Sequence, residues 1–367
     1  MNYLHIVTTN IKIQYHSFMS ATKSYAALSA TTPLQPYSFD RRALGPKDIK
    51  IEIAYCGVCH SDLHQARNEW GGSIYPMVPG HEIVGTISAV GSSVTNFKVG
   101  DLAGVGVMVD SCRVCKSCEK DLEQYCAEGM TGTYNSKERT GEGITMGGYS
   151  THIVVDEHYT MHISSKLNLA AVAPLLCAGI TTYSPLMYAG VKKGMKVAIV
   201  GLGGLGHMGV KFAVSFGAEV TVISTSPSKE ADAKKLGATH FLLSTDADAM
   251  QQKHNYFDVI LDAISANHDY TAYLNLLGLD GKLMVVGLPI ESPKVLPFSL
   301  IGNRRSIIGS CIGGMKETQE MLNYCAEHNI VSDIEVIPMQ EINTAYERML
   351  KGDVKYRFVI DMASLNS

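Results

Sequence analysis

The sequence contains no run of about 18 apolar residues, the length a membrane-spanning helix needs, so no transmembrane segment is expected. Charge of one sign is missing too: 31 Lys and Arg stand against 35 Asp and Glu, a net charge of −4. That balance gives no global field to draw the chain to nucleic acid or to an anionic membrane, and neither is expected as a partner. Charged residues make up 18% and hydrophobic residues 46%, which excludes a disordered chain and suits a soluble globular enzyme. The first twenty residues lack a basic region followed by an apolar core and a small-residue cleavage site. They read as an extension with no role in the fold, not as a signal peptide. There is no internal repeat, low-complexity tract or long charge run. Tryptophan occurs once, at Trp70. Nine cysteines is an odd number, and four of them fall between Cys112 and Cys126, a spacing that suggests metal and not a disulfide framework. Such clustering implies a reducing compartment, so a cytoplasmic location is expected.

The stretch from Cys56 to Glu82 carries the densest chemistry. It reads CGVCHSDLHQ, a Trp-Gly-Gly loop, then YPMVPGHE. Thiolate, imidazole and carboxylate together suit Zn²⁺, a borderline-soft ion. Cys59 and His81 could supply two ligands, with Glu82 as an optional oxygen ligand. A catalytic zinc usually keeps three protein ligands and one open position, so the third should come from elsewhere in the chain.

Between Ser24 and about Ile163 the apolar segments are short and β-branched. DIKIEIAY (48–55), EIVGTISAVG (82–91) and 102–107 read as strands, bounded by Gly45-Pro46, Pro79-Gly80 and Gly147-Gly148, the pattern of a barrel or sandwich. Within this region lies DSCRVCKSCEKDLEQYC. Two tight C-x2-C steps share a cysteine, and Cys112, Cys115, Cys118 and Cys126 can converge on one ion as a closed four-thiolate site. A structural zinc is the expectation. A ferredoxin-type cluster would place its fourth cysteine after three residues and before a proline; here seven residues intervene and Ala127 follows. A nucleic-acid zinc module would want flanking basic residues, and Glu119, Asp121 and Glu123 oppose that.

From about Ser164 the segment LNLAAVAPLLCAGITTYSPLMYAG reads as helical. Its Cys177 is by default a core cysteine, although an active site between two domains would draw a ligand from here. Next, an apolar run from Val197 to Val200 leads into Gly201-x-Gly203-Gly204-Leu205-Gly206 and a helix to about Phe216, followed by a strand from Glu219 to Ile223. A glycine loop set between strand and helix is a dinucleotide-binding signature, with the phosphates at the helix N-terminus. Helix 228–236, strand 239–243, strand 257–262, helix 267–277, strand 281–287 and a strand near 306–310 continue a doubly wound parallel sheet. An NAD-selective site places Asp or Glu at the end of the second strand. This chain has Ser224-Thr225-Ser226 there, with Lys229 close by. Hydroxyl donors and a lysine suit a 2′-phosphate, so NADP(H) is expected; Ser and Thr could equally cap the following helix.

The residues after Cys311 are assigned back to the first domain, since about 50 residues alone would have little core. The expected division is an extension at 1–23, a β-rich domain at 24–176 and 312–367, and a Rossmann domain inserted at 177–311.

These motifs together resemble the zinc-containing medium-chain dehydrogenases of the cinnamyl alcohol dehydrogenase type. The likeness runs from about Tyr25 to Met362 through CGVCHSDLH, YPMVPGHEIVG, the cysteine lobe, GMTGTYNSKE, GGYS, LLCAGITTYSPL, GLGGLGH and GSCIGGMKETQEML. It implies a GroES-like catalytic domain interrupted by the Rossmann domain, with the active site in the cleft between them. It also implies Cys59, His81 and Cys177 as catalytic zinc ligands, with Glu82 able to enter the coordination sphere. Ser61 would bond the substrate oxygen, His64 would serve a proton relay, and Asp62 would orient a ligand histidine. The implied reaction interconverts primary alcohols and aldehydes by hydride transfer with NADP(H), on small-molecule substrates, in a homodimer. Polyol or formaldehyde dehydrogenases would more often carry an acidic residue at Ser224, and a non-catalytic relative would lack a ligand or relay residue. Met187-Tyr188 stands where relatives often carry basic residues. Trp70 either lines an apolar substrate pocket or packs locally.

Overall fold

The computed structural model describes residues 21–366, apart from 142 and 290. The leading segment expected as an extension lies almost wholly outside these residues. The β-branched run Lys196–Val200 forms the centre of a six-stranded parallel sheet, in the order His240–Leu243, Glu219–Ser224, Lys196–Val200, Phe257–Asp262, Leu277–Val285 and Ser306–Gly309. Strands buried on both faces need no polar alternation, and Val197, Ala198, Ile199 and Val200 are all fully buried. The chain order reverses between Lys196–Val200 and Phe257–Asp262. At such a switch point the loops diverge at the strands' carboxyl ends and leave a crevice. The expected dinucleotide-type sheet is therefore present.

A second, seven-stranded sheet is assembled from both ends of the chain: Ile334–Pro338, Arg357–Asp361, Asp48–Gly57, Ile83–Val90, Leu102–Val105 and Met161–His162, with His152–Asp156 also pairing to Asp48–Gly57. Asp48–Gly57 is its longest strand, and Ile49, Ile51 and Ile53 all turn inward. Two register shifts against Ile83–Val90 bend the pair, at Lys50/Ile51 and Ile53/Tyr55. Val359 pairs with Gly57, which brings the late strand Arg357–Asp361 beside the Cys59 loop.

The segment expected as one helix is broken. Leu169–Val172 passes into a 3₁₀ turn Ala173–Leu176, and a new helix, Ala178–Ala189, sets off at 56°. Cys177 occupies the break, with φ −131° and ψ −69°. Pro174 enters at a position where a missing N–H costs nothing, and the tight turn re-aims the chain. This is the one apolar helix pair whose combined length could approach a membrane span; no single helix among the described residues is long and apolar enough. Other boundaries move by a few residues: Tyr270–Leu274 replaces helix 267–277, and Leu277–Val285 replaces strand 281–287. The helix expected at 228–236 is a 3₁₀ turn Pro227–Lys229 followed by Glu230–Lys235.

Candidate active site and metal centres

Cys59 lies at the N-terminus of the helix His60–Ala66, and its backbone N–H donates to Asp62 Oδ2 at 2.9 Å. Asp62 is fully buried and accepts from three further groups: Gly80 N–H at 3.0 Å, Tyr149 Oη at 3.2 Å and His81 Nδ1 at 3.2 Å. One carboxylate thus fixes the cysteine loop, the Pro79-Gly80 turn and the imidazole. With Nδ1 engaged, His81 aims Nε2 into the site, and that nitrogen is buried without a partner. Tyr134 stacks on the same ring, 5.7 Å between centroids.

The helix break delivers Cys177 Sγ to 3.9 Å from Cys59 Sγ. One donor atom each from Cys59, His81, Glu82 and Cys177 lies within 4.8 Å of the others. A tetrahedron with 2.3 Å zinc–sulfur bonds has an edge of about 3.8 Å, which this sulfur pair matches. Two buried atoms of these residues, His81 Nε2 and Glu82 Oε2, have no hydrogen-bond partner. An uncompensated buried polar atom costs about 1–3 kcal/mol, so the donor set fits a zinc ion. Glu82 Oε1 accepts from Arg357 Nη2, which also donates to the Val58 carbonyl at 2.9 Å. Burial pushes the Glu82 carboxyl up to about 7 in spite of Arg357. The Cys177 contact, helped by His81 and Arg357, holds the Cys59 thiol well below its usual range. Burial works against the His81 imidazolium, but Asp62 outweighs it and the ring's pKa lies well above the ordinary value.

Ser61 Oγ lies 3.6 Å from Cys59 Sγ, at the edge of the cluster. His64 contacts the Glu69 carboxylate through Nδ1 and stands 5.1 Å from the Trp70 ring. Trp70 remains 48% exposed, so its ring serves this local stack.

The second cysteine group also converges. Cys112, Cys115, Cys118 and Cys126 bring their sulfurs within 4.8 Å of one another, with pairs at 3.9 Å and 3.6 Å. Backbone N–H groups of Cys112, Cys115 and Ala127 donate to Cys126, Cys112 and Cys115 sulfurs at 3.3–3.4 Å. Such donors stabilise thiolate, and the N–H of Ala127 leads in holding Cys115 down to about 6. The lobe docks on the late part of the chain. Buried Glu123 accepts from Met315 N–H at 3.1 Å, and Gly314 passes so close to the Asp121 carbonyl that a Cβ would sit 1.8 Å from it.

The glycine loop closes the crevice from the other side. Gly201 leaves the strand at φ +88°, a conformation that favours glycine. At Gly206 a Cβ would meet the Gly201 carbonyl at 1.8 Å, whereas Gly203 faces open space. A cavity of about 330 Å³ lies here, lined by Gly201, Gly203, Lys229, Ile264, Met349 and Tyr356. A phosphate could approach the bare backbone at Gly203. Leu205 precedes the helix Gly206–Ser215, and a Cβ at Gly204 would touch Arg357 Cδ at 2.8 Å. Ser224 Oγ accepts from Ser226 N–H at 3.2 Å, Ser226 Oγ contacts Ser228 Oγ at 2.8 Å, and Thr225 is exposed. Ser226, at the helix start, makes no side-chain cap there.

Residues 45–165 match the family described as alcohol dehydrogenase GroES-like domain, and residues 204–327 match zinc-binding dehydrogenase. The chain is 55% identical to aldehyde reductase YahK of Escherichia coli strain K12, over 94% of this chain and 99% of that protein. The chain belongs to the zinc-binding alcohol dehydrogenase family. NADP-dependent alcohol dehydrogenase C 1 of Mycolicibacterium smegmatis is 53% identical, covering 95% of this chain and all of that one. A solved cinnamyl alcohol dehydrogenase of Sorghum bicolor superposes with a TM-score of 0.91 at 44% identity, covering 94% of this chain and 98% of the other.

This zinc-binding alcohol dehydrogenase also uses residues that sequence reasoning missed. Arg357 bridges Glu82 and the glycine loop from a strand nearly at the end of the chain, and no local pattern marks it. Tyr149, in the GGYS motif, and Tyr134, in GMTGTYNSKE, act through Asp62 and the His81 ring. Met187 and Tyr188 sit at the exposed C-terminal end of the Ala178–Ala189 helix.

Proposed function

We propose that this chain is an NADP(H)-dependent enzyme that interconverts primary alcohols and aldehydes, with Cys59, His81 and Cys177 holding the catalytic zinc. The observation that carries it is the convergence of those three donors at the head of a crevice shared with the glycine loop. When bound, zinc supplies Lewis-acid polarisation of the substrate oxygen and the nicotinamide supplies or accepts hydride. The chain's own groups set the geometry. Asp62 fixes the His81 tautomer so that Nε2 is free to ligate. Arg357 neutralises Glu82 and keeps that carboxylate beside the ligands without displacing them. Ser61 stands where a hydroxyl can bond the substrate oxygen and pass its proton outward, with His64 on the next turn of the helix as its relay. Gly201, Gly203, Gly204, Leu205 and Gly206 form the pyrophosphate loop. Ser224, Thr225, Ser226 and Lys229 form the 2′-phosphate end.

Cys112, Cys115, Cys118 and Cys126 form a structural zinc site in this reading, and its thiolates suit a reducing, cytoplasmic setting. The division into 24–176 with 312–367, and 177–311, is supported by the return of Ile334–Pro338 and Arg357–Asp361 to the first sheet. A homodimer is part of the proposal. Among the described residues Ser306–Gly309 has one neighbouring strand and an open outer edge, and the helix that precedes it exposes Phe298 at 84% and Ile301 at 71%. A two-fold axis would pair that edge with its own copy. The decisive experiment is a panel of aromatic and aliphatic aldehydes assayed with NADPH and NADH on protein of measured zinc content. Turnover that survives complete removal of the catalytic zinc would overturn the reading.

A further inference from the structure

The 2′-phosphate end of the crevice is not built by the nucleotide-binding sheet alone. Tyr356 comes from the residues that precede the strand Arg357–Asp361 of the other sheet, yet it lies in the wall of the cofactor cavity. Its ring is 6% exposed and stacks on His207, 4.8 Å between centroids and 11° between planes. His207 follows the last glycine of the loop. It is fully buried, with Nδ1 3.3 Å from the Gly203 carbonyl and Nε2 3.0 Å from Ser332 Oγ. A neutral ring that donates from Nδ1 and accepts at Nε2 satisfies both contacts. The Lys229 ammonium stands 5.9 Å from the centroid of the Tyr356 ring, within cation–π range.

Lys229 makes no ion pair among the described residues. Both acidic residues of the helix that follows it are occupied, Glu230 by Lys234 at 2.7 Å and Asp232 by Lys355 at 2.8 Å. Two consecutive residues of the catalytic sheet's segment therefore act on one lysine. Lys355 removes a competing anion, and Tyr356 offers the ammonium a ring face while leaving its charge uncompensated.

We propose that Tyr356 is a specificity-determining positioning residue for the cofactor. It holds Lys229 at the 2′-phosphate position and anchors that position, through His207, to the glycine loop. The inference rests on the NADP(H) reading above and adds that part of the preference is supplied by the catalytic domain. An electrostatic contact that is stronger when the phosphate is present distinguishes NADPH from NADH, whereas packing of Tyr356 on His207 affects both cofactors alike.

The test is the preference for NADPH over NADH, read as the ratio of dissociation constants from nicotinamide fluorescence titrations without substrate and, alongside it, as the ratio of kcat/KM with one fixed aldehyde. Tyr356→Leu should lower that ratio about three- to fivefold, the size of a partly exposed cation–π contact, and Tyr356→Phe should retain the wild-type ratio. In a Lys229→Ala background Tyr356→Leu should leave the ratio where Lys229→Ala put it. Fluorinated phenylalanines incorporated at 356 keep the shape and weaken the ring face, so the ratio should fall with each added fluorine, even if the leucine variant fails to fold. A purely structural role would change both cofactors equally. An unchanged ratio in the leucine and fluorinated proteins, or an equal further drop without Lys229, overturns the inference while a wild-type preference for NADPH leaves the cofactor reading standing. A wild type that prefers NADH removes both.

Discussion

Replacing Asp62 by Asn changes one atom and should loosen the catalytic metal site. The carboxylate serves four donors, two on each oxygen: Cys59 N–H and Tyr149 Oη on Oδ2, Gly80 N–H and His81 Nδ1 on Oδ1. An amide has one oxygen, so two donors must face an NH₂ group in either orientation. With the nitrogen at the Oδ1 position, His81 would have to accept at Nδ1, which places its proton on Nε2 and blocks ligation. The amide should therefore settle the other way round. Tyr149 can rotate its hydroxyl to accept, but the Cys59 N–H cannot turn and is left unpaired at the cost of about 1–3 kcal/mol. The bond to His81 also loses its charge assistance. Loss of such a supporting partner typically costs about 10–100-fold in metal affinity. Competition against a graded zinc chelator, with zinc counted per chain, reads this directly, and a denaturant melt of the zinc-loaded protein reads the stability loss. An Asp62→Asn protein that holds both zinc ions within twofold of wild-type affinity and melts at the wild-type midpoint would refute the reasoning.

Cys115→Ala should lower zinc from two ions to one per chain and depress the melting temperature, because a closed four-sulfur site contributes folding free energy directly; two retained ions would exclude it as a ligand. Ser224→Asp should weaken NADPH at least about tenfold relative to NADH, since a charge-assisted contact contributes about 1.5–3 kcal/mol and repulsion adds to its loss. An unchanged cofactor ratio from steady-state kinetics would count against that strand end. His207 supplies a pH prediction. Burial, with Lys211 adding, lowers its pKa to about 3, so between there and the unfolded value near 6.5 the unfolded chain binds the extra proton and stability falls as pH falls. From pH 7 to pH 5 the wild type should lose about 2 kcal/mol more than His207→Asn, measured as the difference in urea unfolding free energies; parallel pH profiles would show that the ring is not held neutral.

The elements with strong local signals were legible. A β-branched run followed by closely spaced glycines can hardly be other than strand, turn and helix, and the four-cysteine spacing nearly dictates convergence. Cys177 could be named only by resemblance, because the kink that aims it comes from a 3₁₀ turn that apolar periodicity does not distinguish from continuous helix. Arg357, Tyr356 and Glu123 stayed hidden for a different reason. Each matters through a partner far away in the chain, and no local pattern records such a partner. Ser226 shows the converse, a good capping residue by composition whose hydroxyl is spent on Ser228 instead.

The late strand Arg357–Asp361 also imposes an order of events. Every strand of the parallel sheet lies between Lys196 and Gly309, so that sheet can form as soon as its own stretch has left the ribosome. The catalytic sheet cannot. Arg357 reaches Val58 across 299 residues and Cys177 reaches Cys59 across 118, and closing such loops costs entropy before any contact repays it. The residues of the zinc pocket thus emerge early and wait, with their thiols and the unneutralised Glu82, until nearly the last strand arrives. During refolding, dinucleotide binding should return before zinc becomes resistant to chelator, and a nascent chain arrested once Gly309 has cleared the ribosome but before Arg357 is added should hold a folded inserted domain beside an unfinished catalytic one.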